Sequence, residues 1–324
     1  MNVLITGVTG FIGQRLLEHL SQRGYGVYGV GRRKAPSFKF PVTYLESSDY
    51  SSLKFKSFLN NIDVVVHCAG KAGTWGDYDD YFQANFVLTK QLVDSCVEAG
   101  VSRFINISSP SIYFQLKDQL DIEETFVPKK FFNAYAETKY LAEEYVQNAC
   151  SESFLSMSLR PRGVIGRGDQ NWFPRILDLY HAGKLIRPSG KNPMVEFTSV
   201  QNLVEFIEGT FTLEKSCFGE VYNICNNEPV YLWDFIEEGL RLLNLDVKTK
   251  GMPFGILMGA GHLMEGLAKL LGQRSEPMIS PIKIGVASYS FTLNTAKIRK
   301  HTGYDPSQTS MDALSEFARW WSSR

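Results

Sequence analysis

Short apolar runs recur through the first half of the chain: Val3 to Thr6, Gly26 to Val30, Val42 to Leu45, Val64 to His67, Phe104 to Ser108 and Leu155 to Leu159, with amphipathic stretches between them. Runs that are apolar throughout suit strands covered on both faces. Their alternation with helices predicts a parallel sheet layered by helices on each side. Helices are expected over Phe11 to Arg23, Tyr81 to Ala99 and Asn133 to Ala149. Gly24 and Gly100 follow the first two, where C-caps favour glycine. After Arg160 the pattern loosens into loops rich in Gly, Pro and Arg, then resumes with Glu196 to Val200, Val221 to Ile224 and several helices up to Trp321. No internal repeat or low-complexity linker breaks this order, so a second lobe packed on the first, with strands crossing back, is the expected arrangement.

A chain of 324 residues is long enough to bury a large core and to hold a cofactor cleft. Lysine plus arginine balances aspartate plus glutamate at 34 each, which leaves no net field to draw nucleic acid or an anionic membrane. Nucleic acid is therefore set aside as a partner. The five cysteines (Cys68, Cys96, Cys150, Cys217 and Cys225) are odd in number, widely spaced and without a CxxC pair. That usage suits core thiols in a reducing compartment better than a disulfide frame or a zinc site, and no metal is expected.

The N-terminus, MNVLITG, reads as a strand entering a glycine turn with no basic segment or cleavage site ahead of it, which predicts a cytoplasmic protein. The most apolar later segment, Met252 to Leu271, is interrupted by a proline, a histidine, a glutamate and a lysine. Those interruptions argue against a membrane span and for a buried or lid helix, with loose membrane contact as the alternative.

Gly7, Gly10 and Gly13 in TGVTGFIG follow the first expected strand and open the first expected helix. In that context glycines permit a tight turn and close backbone approach, so that a helix N-terminus can meet a pyrophosphate. The fold expected is α/β, a doubly wound parallel sheet (Rossmann fold) with a smaller C-terminal lobe. Residues 1–165 with returning strands at about 195–225 would bind the dinucleotide, and 166–194 with 226–324 would form a substrate-binding lobe. Where an NAD enzyme places an acid after the second strand for the ribose hydroxyl, this chain has Gly31 followed by Arg32, Arg33 and Lys34. A 2′-phosphate fits such a turn better, so NADP(H) is favoured, with NAD(H) possible. Asp49, with Glu46 as competitor, is placed to approach the adenine.

Tyr135 and Lys139 lie four residues apart in NAYAETKYLAEEYV, hence on one face of the third helix. An ammonium beside a phenol favours its ionised form. Several further motifs occur in order: DVVVHCAG (Asp63 to Gly70), Asn85, NISSPSIY (Asn106 to Tyr113), YAETK and LRPRGVIGRGD (Leu159 to Asp169). With TGVTGFIG, this set resembles the extended short-chain dehydrogenases/reductases (the NAD-dependent epimerase/dehydratase superfamily) over nearly the whole chain. It is nearest in pattern to the branch of 3β-hydroxysteroid dehydrogenases, sterol-decarboxylating dehydrogenases and 2-alkyl-3-ketoalkanoate reductases.

The resemblance implies a serine that holds the substrate oxygen, a tyrosine that moves the proton and a lysine that binds the nicotinamide ribose and lowers the tyrosine pKa. By position these are Ser109, Tyr135 and Lys139, with Ser108 and Ser111 as rivals for the serine. Asn85 matches an asparagine that supports the site structurally or through a water. Thr9, Phe11 and Ile12 among the glycines, then Ala69, Gly70, Lys71 and Pro161, fall to the cofactor. Ser111, Trp75, Arg162 and Trp172 fall to the substrate. A free phenol near pKa 10 is a poor base at neutral pH, and moving it by roughly two to three units needs about 3–4 kcal/mol. Lys139 and the oxidised nicotinamide are the sources available.

The branch handles apolar ketones and alcohols, and Trp172, Phe173, Pro253, Phe254, Ile256, Leu257, Met258, Leu263 and Met264 offer an apolar lining or ordinary core. Arg160 reads as a brace, whereas Arg162 and Arg167 suit either bracing or a substrate anion. The usual loop proline is replaced in VIGRG, which alters that loop. The implied activity interconverts a small hydrophobic ketone and its secondary alcohol. The alternatives are a nucleotide-sugar epimerase or dehydratase, against which Gly31 and the absence of an acid beside Ser109 argue, and a non-catalytic NADP(H) sensor, against which Tyr135 argues. The resemblance further implies a homodimer formed by the helices around Tyr81 to Ala99 and Asn133 to Ala149.

Overall fold

The structure, a computed structural model, describes every residue except Ala35, Lys248 and Arg274. Its centre is a sheet of seven parallel strands: β1 (Asn2–Thr6), β2 (Gly26–Gly31), β3 (Thr43–Glu46), β4 (Val64–His67), β5 (Arg103–Ile107), β6 (Leu155–Pro161) and β7 (Val221–Ile224). Their order across the sheet is β7-β6-β5-β4-β1-β2-β3. The order reverses at β1, which pairs with β2 on one side and β4 on the other. In open parallel sheets the crevice at such a reversal, beyond the strands' C-terminal ends, is where ligands bind.

Successive side chains on a strand point to opposite faces, so apolar runs supply two cores. Val3, Ile5, Val64, Val66 and Ile105 meet Leu16, Leu17 and Leu20 of helix α1 (Phe11–Gln22) and Leu203, Val204 and Ile207 of the helix Val200–Gly209. Leu4, Val65 and Phe104 pack on the other face against Leu92, Val93 and Cys96 of α2 (Leu88–Glu98) and Val146 of α3 (Ala134–Asn148). Full burial of each such side chain contributes about 1.5–3 kcal/mol. All five cysteines are free thiols; Cys96, Cys217 and Cys225 are buried, and Cys68 and Cys150 partly so.

Two expectations need correcting. The helix expected over Tyr81 to Ala99 begins earlier and changes register: one α turn at Tyr78–Tyr81, a π-helical turn at Phe82–Val87, then α2. The strand expected over Glu196 to Val200 is only a pair, Thr198–Ser199, outside the main sheet. Val200 instead opens a helix, because the Ser199 hydroxyl caps it by accepting from Gln201 N and its apolar positions recur at helical spacing toward the sheet.

The C-terminal half has its own core, in which Phe173, Phe197, Trp233, Phe235, Leu314 and Phe317 pack together. The apolar segment after Met252 forms α4 (Phe254–Leu270), which buries only Leu257, Gly261 and Ala268 and exposes Ile256, Leu263, Leu267 and Leu270. The expected buried helix is thus buried along one narrow stripe. Among the described residues no helix is long and apolar enough to cross a membrane.

Candidate active site

The glycine turn lies between β1 and α1. Gly7 adopts φ +66°, a conformation that disfavours any side chain, and a Cβ there would stand 2.9 Å from Ala69 N. A Cβ on Gly13 would come within 2.8 Å of Val8 Cα and closer still to the Gly7 carbonyl oxygen. Helix α1 starts at Gly10 with no side chain capping its first amides. Uncapped N–H groups at the positive end of a helix, behind a turn without side chains, form an anion cradle, and the pyrophosphate of a dinucleotide fits it. Thr9, Gly10, Phe11 and Ile12 follow in the chain from the turn into the first turn of α1, and Ala69 faces Gly7.

The basic turn follows β2. Arg32 and Arg33 are exposed and in no ion pair among the described residues; the Arg33 carbonyl accepts from Tyr44 Oη at 2.8 Å. A side chain at Gly31 would meet that same hydroxyl at 3.1 Å, so the tyrosine occupies the space an acidic residue there would need. Asp49 is exposed, and its carboxylate accepts from Ser51 N (2.9 Å) and Ser51 Oγ (2.6 Å), bonds that hold it below the usual carboxylate range. Pro161 is buried at the end of β6, paired in register with Ile224 of β7.

The proposed chemical groups meet at the C-terminal ends of β5 and α3's first turns. Asn133 caps α3, its Oδ1 accepting from Ala136 N at 2.9 Å, which fixes where Tyr135 and Lys139 emerge. Lys139 is buried, and its Nζ donates to the Ile107 carbonyl at 2.7 Å. Burial pushes its pKa down to about 8, opposed by Glu143 one turn further along α3. Burial also raises the partly buried Tyr135 phenol above its ordinary value, and the Ser109 hydroxyl beside it opposes the rise. In the protein by itself the phenol is therefore held neutral. Lys139 commits one donor to the strand carbonyl, so lowering of Tyr135 would come from its remaining charge and from that of an oxidised cofactor.

Ser109 opens the short 3-10 turn Pro110–Tyr113; its Oγ accepts from Ser111 N at 3.2 Å and lies 3.1 Å from Ser111 Oγ. Ser108 Oγ is buried with no hydrogen-bond partner, so of the two adjacent serines it is Ser109 that stands beside Tyr135. Beneath them Arg160 and Glu143 form a buried pair: Arg160 Nε donates to Glu143 Oε2 at 2.9 Å, a second bond joins Arg160 Nη2 to Oε1, and the guanidinium sits 4.7 Å from the Tyr113 ring centroid.

Asn85 lies in the π turn and is buried. Its Oδ1 accepts from Lys71 N at 2.7 Å, and its Nδ2 donates to Lys71 O (3.1 Å) and Thr138 Oγ1 (3.1 Å). The whole amide is thus used to tie the loop after β4 to α3, and it touches no reacting group directly. A side chain on Gly70 would meet Asn85 Oδ1 at 3.1 Å.

The residues assigned to substrate are more scattered. Trp75 Nε1 donates to the Gln273 carbonyl at 2.9 Å, and Thr74 is bonded to Glu276, so the segment after α4 is strapped to the loop that precedes Tyr81. The Tyr81 ring stands 6.2 Å from that of Tyr135, and its hydroxyl donates to the Trp75 carbonyl at 2.9 Å. Trp172 packs into the C-terminal core against Phe197, centroids 4.6 Å apart, while Asp169 accepts from the backbone of residues 171–173. Arg167 is braced by both carboxylate oxygens of Glu18. Arg162 differs from both neighbouring arginines. Its guanidinium lies 4.5 Å from the Phe291 ring centroid, its buried Nε has no hydrogen-bond partner, and burial pushes it down to about 10 against the charge of Glu196.

Sequence reasoning passed over His67 and its hydroxyl neighbours Thr6 and Thr89, all wholly buried between the glycine turn and the π turn. The signal was present, a histidine at the end of an all-valine strand, where an isolated polar ring needs partners on both nitrogens.

Comparison with known proteins bears on family and fold. A family model described as "NAD dependent epimerase/dehydratase family" matches residues 3–225. The 2-alkyl-3-oxoalkanoate reductase of Stenotrophomonas maltophilia is 29% identical over 86% of this chain and 87% of its own length. The decarboxylating sterol-4-alpha-carboxylate 3-dehydrogenase of Homo sapiens is 27% identical over 96% of this chain and 85% of its own. Among solved structures, MoeE5 in complex with UDP-glucose and NAD superposes with a TM-score of 0.77 at 22% identity, covering 100% of this chain and 99% of that one, a likeness of fold.

Proposed function

Because the chain belongs to the NAD dependent epimerase/dehydratase family, and so is an NAD(P)-dependent enzyme of the extended short-chain dehydrogenase/reductase type, we propose that it is an NADP(H)-dependent oxidoreductase interconverting a hydrophobic ketone and its secondary alcohol. The observation that carries this reading is the neutral Tyr135 phenol set beside Ser109, one turn before a buried Lys139. When bound at the glycine turn, the cofactor supplies the hydride. As the carbonyl carbon is reduced, the π electron pair passes to the carbonyl oxygen, which takes the Tyr135 proton while the Ser109 hydroxyl steadies it. Burial suits the phenol to this donor role, since a neutral acid is what the reductive direction needs at the start. Lys139 uses one of its three donors on Ile107, leaving two for a cofactor hydroxyl and the phenol.

The unpaired Arg32 and Arg33 support a 2′-phosphate, hence NADP(H). Arg162 favours a β-keto acid over a plain ketone or a 3-ketosteroid: a guanidinium at the C-terminal end of β6 whose buried Nε has no acceptor among the described residues is suited to a carboxylate. The names of two relatives, an oxoalkanoate reductase and a sterol-carboxylate dehydrogenase, carry the same combination of oxygen function and acid.

Fluorescence titration with NADPH and NADH, followed by turnover against hydrophobic β-keto acids, 3-ketosteroids and UDP-sugars, tests the reading. We expect NADPH preference and ketone-dependent oxidation, lost in Tyr135→Phe while NADPH still binds. Tightly retained NAD with conversion of a UDP-sugar and no net cofactor consumption would move the protein to the epimerases. Absence of turnover, with Tyr135→Phe keeping both cofactor binding and biological activity, would mark it as a sensor.

A further inference from the structure

A chain of buried hydrogen bonds runs from the glycine turn to the helix that carries Tyr135. Ala69 N donates to Thr6 Oγ1 (3.1 Å), and Thr6 Oγ1 lies 2.7 Å from His67 Nδ1. His67 Nε2 lies 2.9 Å from Thr89 Oγ1, which donates to the Asn85 carbonyl at 2.5 Å. The Asn85 side chain then donates to Thr138 Oγ1, whose hydroxyl reaches the carbonyls of Ala134 (2.8 Å) and Tyr135 (3.3 Å). Thr6, His67, Asn85, Thr89 and Thr138 are all buried.

The direction of each bond follows from what each group can do. A carbonyl only accepts, so the single Thr89 hydrogen goes to Asn85 and its oxygen must accept from His67 Nε2. At the other end the Thr6 oxygen accepts from Ala69 N and keeps its own hydrogen free to go to His67 Nδ1, the nitrogen that carries no proton in this tautomer. The Thr89 end requires a proton on Nε2, the Thr6 end accommodates an unprotonated Nδ1, and full burial favours the neutral ring. The π turn at Phe82–Val87 adds a residue to the helix and turns Asn85 inward, and such turns persist only where the surroundings hold them. The Thr89 bond to the Asn85 carbonyl is one such hold, and His67 orients it.

We infer that His67, locked as the neutral Nε2–H tautomer between Thr6 and Thr89, is a positioning residue that sets Asn85 and, through Thr138, the first turn of α3, so that the proton donor Tyr135 keeps its place relative to the cofactor turn. This rests on the reading of Tyr135 as the proton-transfer group. Removing the Thr89 arm displaces Tyr135 without touching the cofactor cradle, and removing the Thr6 arm loosens the cradle at Ala69.

The test has two parts. In protein labelled with 15N-histidine, the His67 nitrogens are expected to report the Nε2–H tautomer without titration from about pH 8 to about pH 5. An Nδ1–H tautomer, or titration in that range, would overturn the inference, and this readout stands whether or not ketones are substrates. In turnover, Thr89→Val and His67→Asn, which lose the Thr89 bond, should lower kcat on the order of tenfold, as about 1.4 kcal/mol of misplaced transition-state stabilisation would. KM for NADPH should hold, whereas Thr89→Ser and His67→Gln should recover most of kcat. Thr6→Val should instead raise KM for NADPH. Equal kcat in Thr89→Val and Thr89→Ser sinks the inference; failure of Tyr135→Phe to lose turnover sinks the proposed function instead. Thr89→Val is nearly isosteric, so it remains decisive if His67→Asn does not fold.

Discussion

Replacing Lys139 by methionine should abolish turnover and at the same time stabilise the protein. Lys139 is 5% exposed, and burial brings its pKa from 10.5 to about 8, so holding it charged at neutral pH costs about 3 kcal/mol at 1.36 kcal/mol per pKa unit. Methionine fills much the same volume without that cost. The lost charge-assisted hydrogen bond to the Ile107 carbonyl offsets about 1.5–3 kcal/mol. The net gain at neutral pH is therefore at most about 1.5 kcal/mol, or a few degrees in Tm for a chain of this size. The gain has a defined pH dependence. Between about 8 and 10.5 the folded lysine has lost its proton and the unfolded one has kept it, so the unfolded state binds more protons and wild-type stability rises with pH. The penalty is complete below about pH 8 and fades toward 10.5. Urea unfolding of both proteins at about pH 7 and about pH 10 should show the methionine variant ahead at the lower pH and the difference shrinking at the higher. A variant that is less stable at pH 7, or a difference independent of pH, would refute the claim that Lys139 is a strained, function-bearing charge.

Two further outcomes follow from the same reasoning. Substituting serine for Arg32 and Arg33 should raise KM for NADPH about tenfold per arginine, since a charge-assisted hydrogen bond is worth about 1.5 kcal/mol or more, and should leave KM for NADH nearly unchanged; equal effects on both cofactors would show that the turn reads no phosphate. Arg160→Met strands the buried Glu143 carboxylate and should cost about 3–5 kcal/mol in urea unfolding, most of it recovered in the double variant Glu143→Leu with Arg160→Met, whereas a single variant as stable as wild type would mean that the pair is solvated.

The strands were legible because buried parallel strands advertise themselves as continuous apolar runs: Val64 to His67 is the same in sequence and structure, and the other runs differ by a residue or two at their ends. The glycine turn was legible because its spacing is a steric requirement, visible in how closely a Cβ on Gly7 or Gly13 would approach the backbone around it. The π turn was not, since one inserted residue leaves the apolar spacing of residues 82–99 compatible with a continuous α-helix. Neither was the strand expected at Glu196 to Val200, where a serine cap outweighed the β-branched valine beside it.

The sequence by itself determined the family, the fold class and which residues are candidates for the chemistry, because motif spacing and apolar periodicity are local properties of the chain. Only the tertiary structure decided the electrostatic state of those residues. Lys139 meets the Ile107 carbonyl across 32 positions, and His67 meets Thr6 across 61, so burial and partner choice depend on which strands become neighbours. That pairing separates Ser109 from Ser108, braces Arg160 and Arg167 while leaving Arg162 Nε without an acceptor among the described residues, and ties the Asn85 amide to Lys71 and Thr138. Each outcome follows from the loss of water around a polar group and the particular donor or acceptor that replaces it.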